Sequence, residues 1–453
     1  MGASAALDGR QPRRNGSPCI LRSCGDHGCH GVTNVLPSGA DHGDSWLPWA
    51  CLFTARVACA AWSARAGEAP VVAPAGSPVA QRWWDWSVDG WLRWRDCQGH
   101  GGCSLMRPVA LVTGMSGVVG AGALPLLTGS FEVVALTGRR FLEAGCEQVA
   151  VDLRARRLGL DAGSFALLAK RADVIVHMAG NVDYTACAQD LHAVNEGGAA
   201  EMAALADAAE CPLLYVSTAF ADRHAQASRE AGIGGLTPAR PSFYHRSKAA
   251  ADERVRQCAQ PWSIIRPSIV MGDSRDGSMP QRQTMHQTLS MMSSGLLPAM
   301  FGHPDHLIDM VPRDYVAQAI HQLALDAVEG RPLPREFWAT AGPASLTWAQ
   351  WSQVLQHTLA AAGRPITPPL QLDPFTLDVS DYPGWDGLRR AHQRGMATLY
   401  VASLALGPEA FPTSFAGGGP GRPAFDSALA HCLLAGDIAW LLRRSRPHAP
   451  TAR

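Results

Sequence analysis

Six short apolar runs, rich in β-branched residues, recur between residues 107 and 270 and are separated by segments of helical length. Each run is almost continuously apolar, which is typical of strands that are buried on both faces of a parallel sheet. The runs are VALVTG (109–114), EVVALTG (132–138), QVAVDL (148–153), DVIVHMAG (173–180), PLLYVSTAF (212–220) and WSIIRPSIV (262–270). This succession predicts an α/β fold, a Rossmann-type doubly wound parallel sheet.

A glycine-rich segment, TGMSGVVG, follows the first run and leads into a predicted helix. Glycines at three-residue spacing let the backbone turn sharply and approach a pyrophosphate, which binds the amides at the helix N-terminus. The position between a strand and a helix is the context that this motif requires. We therefore predict a dinucleotide site formed by Thr113, Gly114, Gly117, Val118, Val119 and Gly120. Pro125 is expected to kink or shorten the following helix.

Two arginines stand after the second run, where an acidic residue would bind the ribose 2′-hydroxyl of NAD. Arg139 and Arg140 suit a 2′-phosphate instead, because guanidinium groups bind phosphate through paired hydrogen bonds. In an arginine-rich chain, ordinary surface charges are the alternative explanation. We expect NADPH in preference to NADH, and we expect Asp152, at the end of the third run, to meet the adenine.

Tyr244 and Lys248 lie in the segment SFYHRSKAAADER (242–254), in a chain that has only six tyrosines and two lysines. Residues four apart share one face of a helix, so both side chains can reach one bound molecule. A compact ammonium depresses the pKa of a neighbouring phenol and can also bind a ribose, which a planar guanidinium does less well. The pair predicts proton transfer beside the dinucleotide.

The segments TGMSGVVG, HMAG, VNEGG, VSTAF and YHRSK occur in this order and resemble the extended branch of the short-chain dehydrogenase/reductase superfamily. The segments IIRPSIVMGDSRDG (264–277), IDMVPRDYVAQAI (308–320) and 152–184 are similar to fatty acyl-CoA reductase and carrier-protein thioester reductase domains, which are of the male sterility type. The resemblance covers about residues 107–345.

This resemblance implies a catalytic set. Thr218 would hydrogen-bond the substrate carbonyl, Tyr244 would donate the proton, and Lys248 would tune Tyr244 and hold the ribose. Asn195 would anchor a water that relays protons to the lysine. Thr218 satisfying its own backbone, Ser217 as the true carbonyl partner and Asn195 as a helix cap remain open.

The resemblance also extends the cofactor site. Beside Tyr244 and Lys248, it implies contacts from Leu153, Ala179, Gly180 and Pro267. Pro267 and Arg266 would shape a turn that faces the nicotinamide amide, and His177 is expected to be structural. Two positions depart from the family pattern: His245 replaces a frequent acidic residue, and Met115 replaces a small one.

These motifs together imply an NADPH-dependent reductase that converts an acyl thioester to an aldehyde or alcohol. The acyl group would arrive on coenzyme A or on a separate acyl-carrier protein. One alternative is a nucleotide-sugar epimerase or dehydratase, which shares the fold and the Thr, Tyr, Lys set but retains its cofactor. Reduction of another carbonyl substrate is a further alternative, and a non-catalytic dinucleotide sensor would need neither Tyr244 nor Lys248.

The parts flanking this domain are less informative. Residues 1–105 hold eight of the fourteen tryptophans but show no periodicity, and we expect a disordered extension or a mis-assigned start before Met106. A real appendage and a secretory leader are alternatives. We expect a reductase domain at 106–345 and a smaller C-terminal helical region at 346–453 on the substrate side. Seven of thirteen methionines lie between Met271 and Met310, either lining an acyl pocket or filling the core.

The charge and cysteine patterns limit the classes of binding partner that we expect. The formal net charge is zero, without runs of like charge, so we expect no nucleic-acid partner. The longest apolar stretch is interrupted by Pro48 and Arg56, so we expect no membrane span and a cytoplasmic location. Scattered cysteines match no zinc site, and no metal is expected. A homodimer remains open.

Overall fold

The computed structural model describes most of the chain from residue 107 onward. The described residues are 107–138, 145–183, 186–221, 223, 239–294, 297, 299–367, 369–377, 379, 382–415 and 424–444. Arg139 and Arg140 lie outside them, as does the segment 1–105, so the expectations for these residues remain predictions.

The described elements alternate between strands and helices over the first part of the chain. The strands are β1 (Val109–Thr113), β2 (Glu132–Thr137), β3 (Glu147–Ala150), β4 (Val174–His177), β5 (Leu213–Val216), β6 (Trp262–Pro267), β7 (Ile269–Met271), β8 (Ala299–Phe301), β9 (Leu307–Ile308), β10 (Met310–Pro312), β11 (Glu336–Ala339), β12 (Leu346–Thr347) and β13 (Leu370–Leu372). The helices are α1 (Val118–Ser130), α2 (Ala162–Arg171), α3 (Ala188–Ala209), α4 (Ala239–Arg256), α5 (Thr284–Ser293), α6 (Arg313–Val328), α7 (Trp348–Ala361), α8 (Arg390–Ser403) and α9 (Ser427–Arg444).

Seven parallel strands form the central sheet in the order β11-β6-β5-β4-β1-β2-β3. The chain order reverses between β1 and β4, and doubly wound sheets bind ligands at such a switch point, outside the carboxyl ends of the strands. All six predicted runs contribute strands to this sheet, so the predicted fold class is confirmed. The seventh strand, β11, was not predicted.

Alternate side chains of the strands enter two separate cores, which explains why the runs are continuously apolar. Leu111, Val134 and Ile175 pack with the residues of α2, α3 and α4 on one face. Ala110 and Val112 pack on the other face, in a larger core that also includes residues of α1, α6, α7 and α9. The C-terminal helices are therefore part of the main core and not an appended layer.

The methionine-rich segment belongs to this larger core. Met271, Met279, Met292, Met300 and Met310 are all buried within it. Their packing favours the core interpretation over a pocket lined with methionines.

The terminal helix is tied to the turn that follows β7. Asp437 of α9 accepts hydrogen bonds from the Gly272 amide at 3.2 and 3.0 Å. Its carboxylate also lies 2.8 Å from Nε2 of His286 on α5, and both side chains are fully buried. The C-terminal helix thus fixes the turn after β7 and helix α5. None of the helices in the described part of the chain combines the length and apolar character needed to span a membrane.

The glycine-rich loop packs its backbone unusually tightly. Gly114 has φ +77°, and a Cβ there would lie 2.5 Å from the Ala179 nitrogen at the end of β4. A Cβ on Gly120 would lie 2.2 Å from the Gly114 carbonyl oxygen. Only glycine permits these approaches. Helix α1 continues through Pro125 to Ser130, so the expected shortening does not occur.

We predict that Gly120→Ala lowers the free energy of unfolding by about 1–3 kcal/mol, because the added methyl group overlaps the backbone of Gly114, which has no room to move away. Gly129→Ala, on the same helix with nothing within 4 Å of an added Cβ, is the matched control. That substitution should raise stability by up to about 1 kcal/mol. Urea unfolding of the full chain, followed by circular dichroism, measures both. Equal effects would contradict the packing argument.

Candidate active site

A cavity of about 780 Å³ opens at the carboxyl ends of β1, β2 and β3. Four residues of the predicted cofactor set line it: Gly114, Asp152, Leu153 and Ala179. Other lining residues, which the sequence did not single out, include Ser116, Thr137, Gly138, Arg154, Gly159 and Val194. The cavity therefore lies where the sequence predicts the dinucleotide.

The start of α1 suits a phosphate. Gly117 is its N-cap, and in the described structure no side chain caps the amides of the first turn. Val118 is buried, Val119 is partly buried, and Gly120 packs on Gly114. Amides at a helix N-terminus without a side-chain cap bind anions well. The glycine cradle, these amides and the adjoining cavity fit the pyrophosphate and adenosine of a dinucleotide.

Thr113 fixes the turn between the loop and the end of β4. Its Oγ1 accepts hydrogen bonds from the Met178 and Ala179 amides at 3.2 and 3.1 Å. The same oxygen lies 2.7 Å from Nδ1 of His177, so its single proton must be donated to that nitrogen. Burial and the nearby Lys248 charge lower the pKa of His177 to about 3, which keeps the ring neutral. His177 is structural, as expected.

Lys248 lies in a buried cradle formed by β5. Its Nζ donates to the Val216 carbonyl at 3.0 Å and to the Tyr215 hydroxyl at 3.2 Å. The side chain is only 4% exposed, and burial lowers its pKa to about 8, although the charge of Asp252 opposes this shift. An ammonium has three hydrogens, so two bonds leave one donor for a bound ribose.

Asn195 lies inside α3 and is buried, so it is not a helix cap. Its Oδ1 accepts from the Asn181 amide at 2.7 Å, and its Nδ2 donates to the Asn181 carbonyl at 3.0 Å and to the Ser247 hydroxyl at 2.9 Å. A Cβ on Gly180 would lie 3.1 Å from Oδ1 of Asn195 and 3.3 Å from Nζ of Lys248. Asn195 therefore positions the segment that joins the cavity to Lys248, and its role in anchoring a water stays a prediction.

Thr218 and Tyr244 lie on facing elements at this end of the sheet. Thr218 stands just after β5 and is buried, and its Oγ1 accepts from the Phe220 amide at 3.3 Å. This long bond is a contact with the local backbone, and it leaves the hydroxyl proton for another acceptor. Tyr244 is buried on α4, one turn before Lys248, with its ring edge against His245.

Pro267 and two aromatic residues pack near Thr218. The Pro267 carbonyl accepts from the Ala219 amide at 2.9 Å and so supports the backbone next to Thr218. Phe220 and Phe411 pack edge to face, with centroids 5.1 Å apart, and Arg223 lies over the Phe411 ring at 3.8 Å. Phe411 comes from beyond the predicted reductase domain, which brings the C-terminal region close to Phe220, two residues after Thr218.

Sequence reasoning missed two buried polar residues near Lys248. Tyr215 cradles Lys248, and Asp252 pairs with Arg266 at 2.9 Å. Two signals were available, since Tyr215 interrupts an apolar strand and Asp252 continues the four-residue spacing of Tyr244 and Lys248.

Comparison with known proteins finds a family model that matches part of this domain. Residues 132–320, from β2 into α6, match the family model described as male sterility protein. This segment makes up 189 of the 453 residues, and its similarity to the male sterility protein family agrees with the resemblance predicted from the sequence. The predicted family is confirmed, and with it the enzyme class, an extended short-chain dehydrogenase/reductase.

Curated relatives in the comparison are much longer proteins. A linear gramicidin synthase of Brevibacillus parabrevis is 31% identical over 184 residues, which are 38% of this chain and 4% of that protein. Isonitrile lipopeptide synthase of Streptomyces coeruleorubidus is 27% identical over 183 residues, 39% of this chain and 12% of that protein. This chain therefore matches only a small part of each relative.

Two solved structures show the same fold. The terminal R domain from the myxalamid PKS-NRPS biosynthetic pathway has a TM-score of 0.56 at 19% identity, covering 77% of this chain and 94% of that domain. The reductase (R) domain of a nonribosomal peptide synthetase from Mycobacterium tuberculosis has a TM-score of 0.51 at 20% identity, covering 76% and 94%. Both similarities extend over a larger share of this chain than the family match does.

We predict that Thr113→Val lowers the free energy of unfolding by at least about 1–3 kcal/mol, because it leaves two amides and a histidine nitrogen without their partner. Thr137→Val is the matched control, since Thr137 ends the neighbouring strand and, in the described structure, its buried hydroxyl has no hydrogen-bond partner. The control should change stability by less than about 0.5 kcal/mol. Urea unfolding measures both, and equal losses would refute the role given to Thr113.

Proposed function

We propose that this chain is an NADPH-dependent reductase that converts an acyl thioester to an aldehyde or alcohol. The observation that carries the proposal is the buried Lys248, which lies one turn after Tyr244 and bonds Val216, two residues before Thr218. Lys248 also lies beside Gly180, next to the cavity-lining Ala179. A cytoplasmic location agrees with a soluble cofactor of this kind.

Reduction of a thioester needs an acid and an oxyanion site. When bound, a reduced nicotinamide supplies a hydride to the carbonyl carbon. The resulting oxyanion would accept hydrogen bonds from the Thr218 hydroxyl and the Tyr244 phenol, and Tyr244 would pass it a proton. The positive charge of Lys248 lowers the cost of the phenolate left on Tyr244. Loss of the thiol from the hemithioacetal gives the aldehyde, and a second reduction gives the alcohol.

The relatives support a thioester held on a carrier protein. Two of the similar proteins are named as synthases of linear gramicidin and of an isonitrile lipopeptide, and the two solved structures are named as R domains of PKS-NRPS or nonribosomal peptide synthetase systems. Free acyl-CoA presents the same thioester chemistry and is the simpler substrate to test. Arg223, which lies over the Phe411 ring near Thr218, is a cation of the kind that would bind the phosphate of a phosphorylated arm.

The first experiment follows NADPH oxidation by absorbance in the full chain, with acyl-CoAs of different chain lengths and with an acylated carrier protein. We predict oxidation that depends on the thioester. Lys248→Ala should reduce turnover at least about 100-fold, since it removes the charge behind the proton donor. Lys170→Ala is the matched control, because Lys170 is the only other lysine and is exposed on α2; it should retain full turnover.

A chain that binds dinucleotide but oxidises none of it with any thioester would overturn the proposal. Epimerisation of sugar nucleotides with tightly held NAD would then identify the alternative function. Unchanged NADPH oxidation in Lys248→Ala would overturn the mechanism alone.

NADPH preference is assigned to Arg139 and Arg140, which directly follow two cavity-lining residues, Thr137 and Gly138. We predict that Arg139→Ala/Arg140→Ala raises the Kd for NADPH about 10-fold or more, since each charged hydrogen bond is worth about 1.5–3 kcal/mol. The Kd for NADH should change less than about 2-fold, because NADH lacks the 2′-phosphate. Arg171→Ala, which removes an arginine paired with Glu147, is the control. Fluorescence titration measures all Kd values, and equal weakening of both cofactors would refute the assignment.

A further inference from the structure

A buried ion pair lies directly behind the predicted catalytic residues. Nη1 of Arg266 is 2.9 Å from Oδ2 of Asp252, and the two side chains are 0% and 2% exposed. The desolvation cost of two buried charges commonly offsets their attraction, so stability is a weak explanation for such a pair. Asp252 lies on α4 one helical turn after Lys248 and two turns after Tyr244.

Arg266 also reaches the opposite half of the site. Its Nη1 donates to the Thr218 carbonyl oxygen at 3.3 Å, and its Nη2 lies 2.9 Å from Oε1 of Glu336 on β11. Its guanidinium lies over the Trp338 ring at 5.2 Å. One side chain on β6 is therefore fixed by contacts from three sides, and it joins the backbone of Thr218 to the helix of Tyr244 and Lys248.

We propose that Asp252 and Arg266 are positioning residues for the catalytic set. The pair fixes α4, with Tyr244 and Lys248, against the strand end that bears Thr218, and it holds the Asp252 carboxylate one helical turn from Lys248 as its counter-charge. This inference rests on the proposed function for its catalytic meaning, but the charge state of Lys248 can be measured without any substrate.

The surroundings of Lys248 single out Asp252. Tyr215 on β5 is a neutral phenol, because burial raises its pKa well above the usual range, and His177 on β4 is a neutral imidazole. Tyr244 on α4 is the proposed proton donor, and Arg266 on β6 is a cation. Burial also raises the pKa of the Asp252 carboxyl, and Arg266 opposes that shift. Among the groups that the described structure places around Lys248, Asp252 thus supplies the negative charge.

The test uses the fact that the chain has only two lysines. Incorporation of lysine labelled with ¹³C at Cε gives two side-chain resonances from the full chain, and Lys170→Arg assigns them. The Lys248 resonance should titrate near pH 8 in the unsubstituted chain. In Asp252→Asn, we expect its midpoint to fall by about one pH unit or more, because a neighbouring carboxylate no longer stabilises the ammonium. An unchanged midpoint would overturn the inference.

Two further variants keep the test decisive. Glu253→Gln makes the same change on the next residue of α4, which is exposed and paired with Arg256, and it should leave the Lys248 midpoint in place. If Asp252→Asn does not fold, Asp252→Asn combined with Arg266→Met replaces the pair without leaving a buried charge, and it should lower the midpoint in the same direction. An equal shift in Glu253→Gln would also overturn the inference.

Measurements of thioester reduction distinguish a failure of this inference from a failure of the proposed function. The alkaline limb of kcat against pH for thioester reduction should move to lower pH in Asp252→Asn and stay in place in Glu253→Gln. A Lys248 midpoint that moves in a chain without thioester reduction would refute the proposed function and support the positioning pair. Normal turnover with an unmoved midpoint would refute the positioning pair alone.

Discussion

The close approach of two backbone turns at the carboxyl ends of β1 and β4 is the constraint on which the site depends. Gly114 lies so near Ala179 that a single Cβ would overlap the backbone, and Thr113 holds the Met178 and Ala179 amides through one hydroxyl. This contact sets the width of the crevice at the point where the strand order reverses. The cavity opens on one side of it, and the segment from Ala179 to Asn181 leads to Lys248 on the other.

The second constraint is the burial of charge behind the catalytic residues. A lysine that is nearly inaccessible to water loses most of its hydration, so its ammonium must find hydrogen-bond acceptors and a negative charge within the protein. Val216 and Tyr215 supply the acceptors, and Asp252 supplies the charge. Neutral His177 adds no further positive charge. A lysine in such surroundings remains close to its titration point, which is the condition under which it can respond to chemistry at the neighbouring phenol.

The fold could be predicted because its strands are buried on both faces. Such burial requires continuous apolar runs, which can be recognised in the amino-acid sequence. The positions of the glycine loop and of the Tyr244 and Lys248 pair could be predicted for a similar reason, since both depend on spacing within one element. Asp252 with Arg266, and His286 with Asp437, join residues 14 and 151 positions apart. A local pattern can mark one member of such a pair, as the four-residue spacing marks Asp252, but it does not give the partner, because the partner is determined by tertiary packing.

The difference between local patterns and tertiary contacts also explains why the roles of the methionines and of the C-terminal region could not be predicted. A methionine-rich segment looks the same in sequence whether it lines a pocket or fills a core, and here its burial is decided by α6, α7 and α9 packing over it. Phe411 reaches Phe220 from beyond the recognisable domain, while Asp437 holds the turn after β7. The glycine loop and the Tyr244 and Lys248 pair are therefore built from local motifs on the sheet, whereas the packing around Phe220 and β7 is built from contacts between distant segments. Lys248 and Asp252 of α4 are held by Val216 of β5 and Arg266 of β6, so these contacts come from the sheet and not from the segments that follow residue 345.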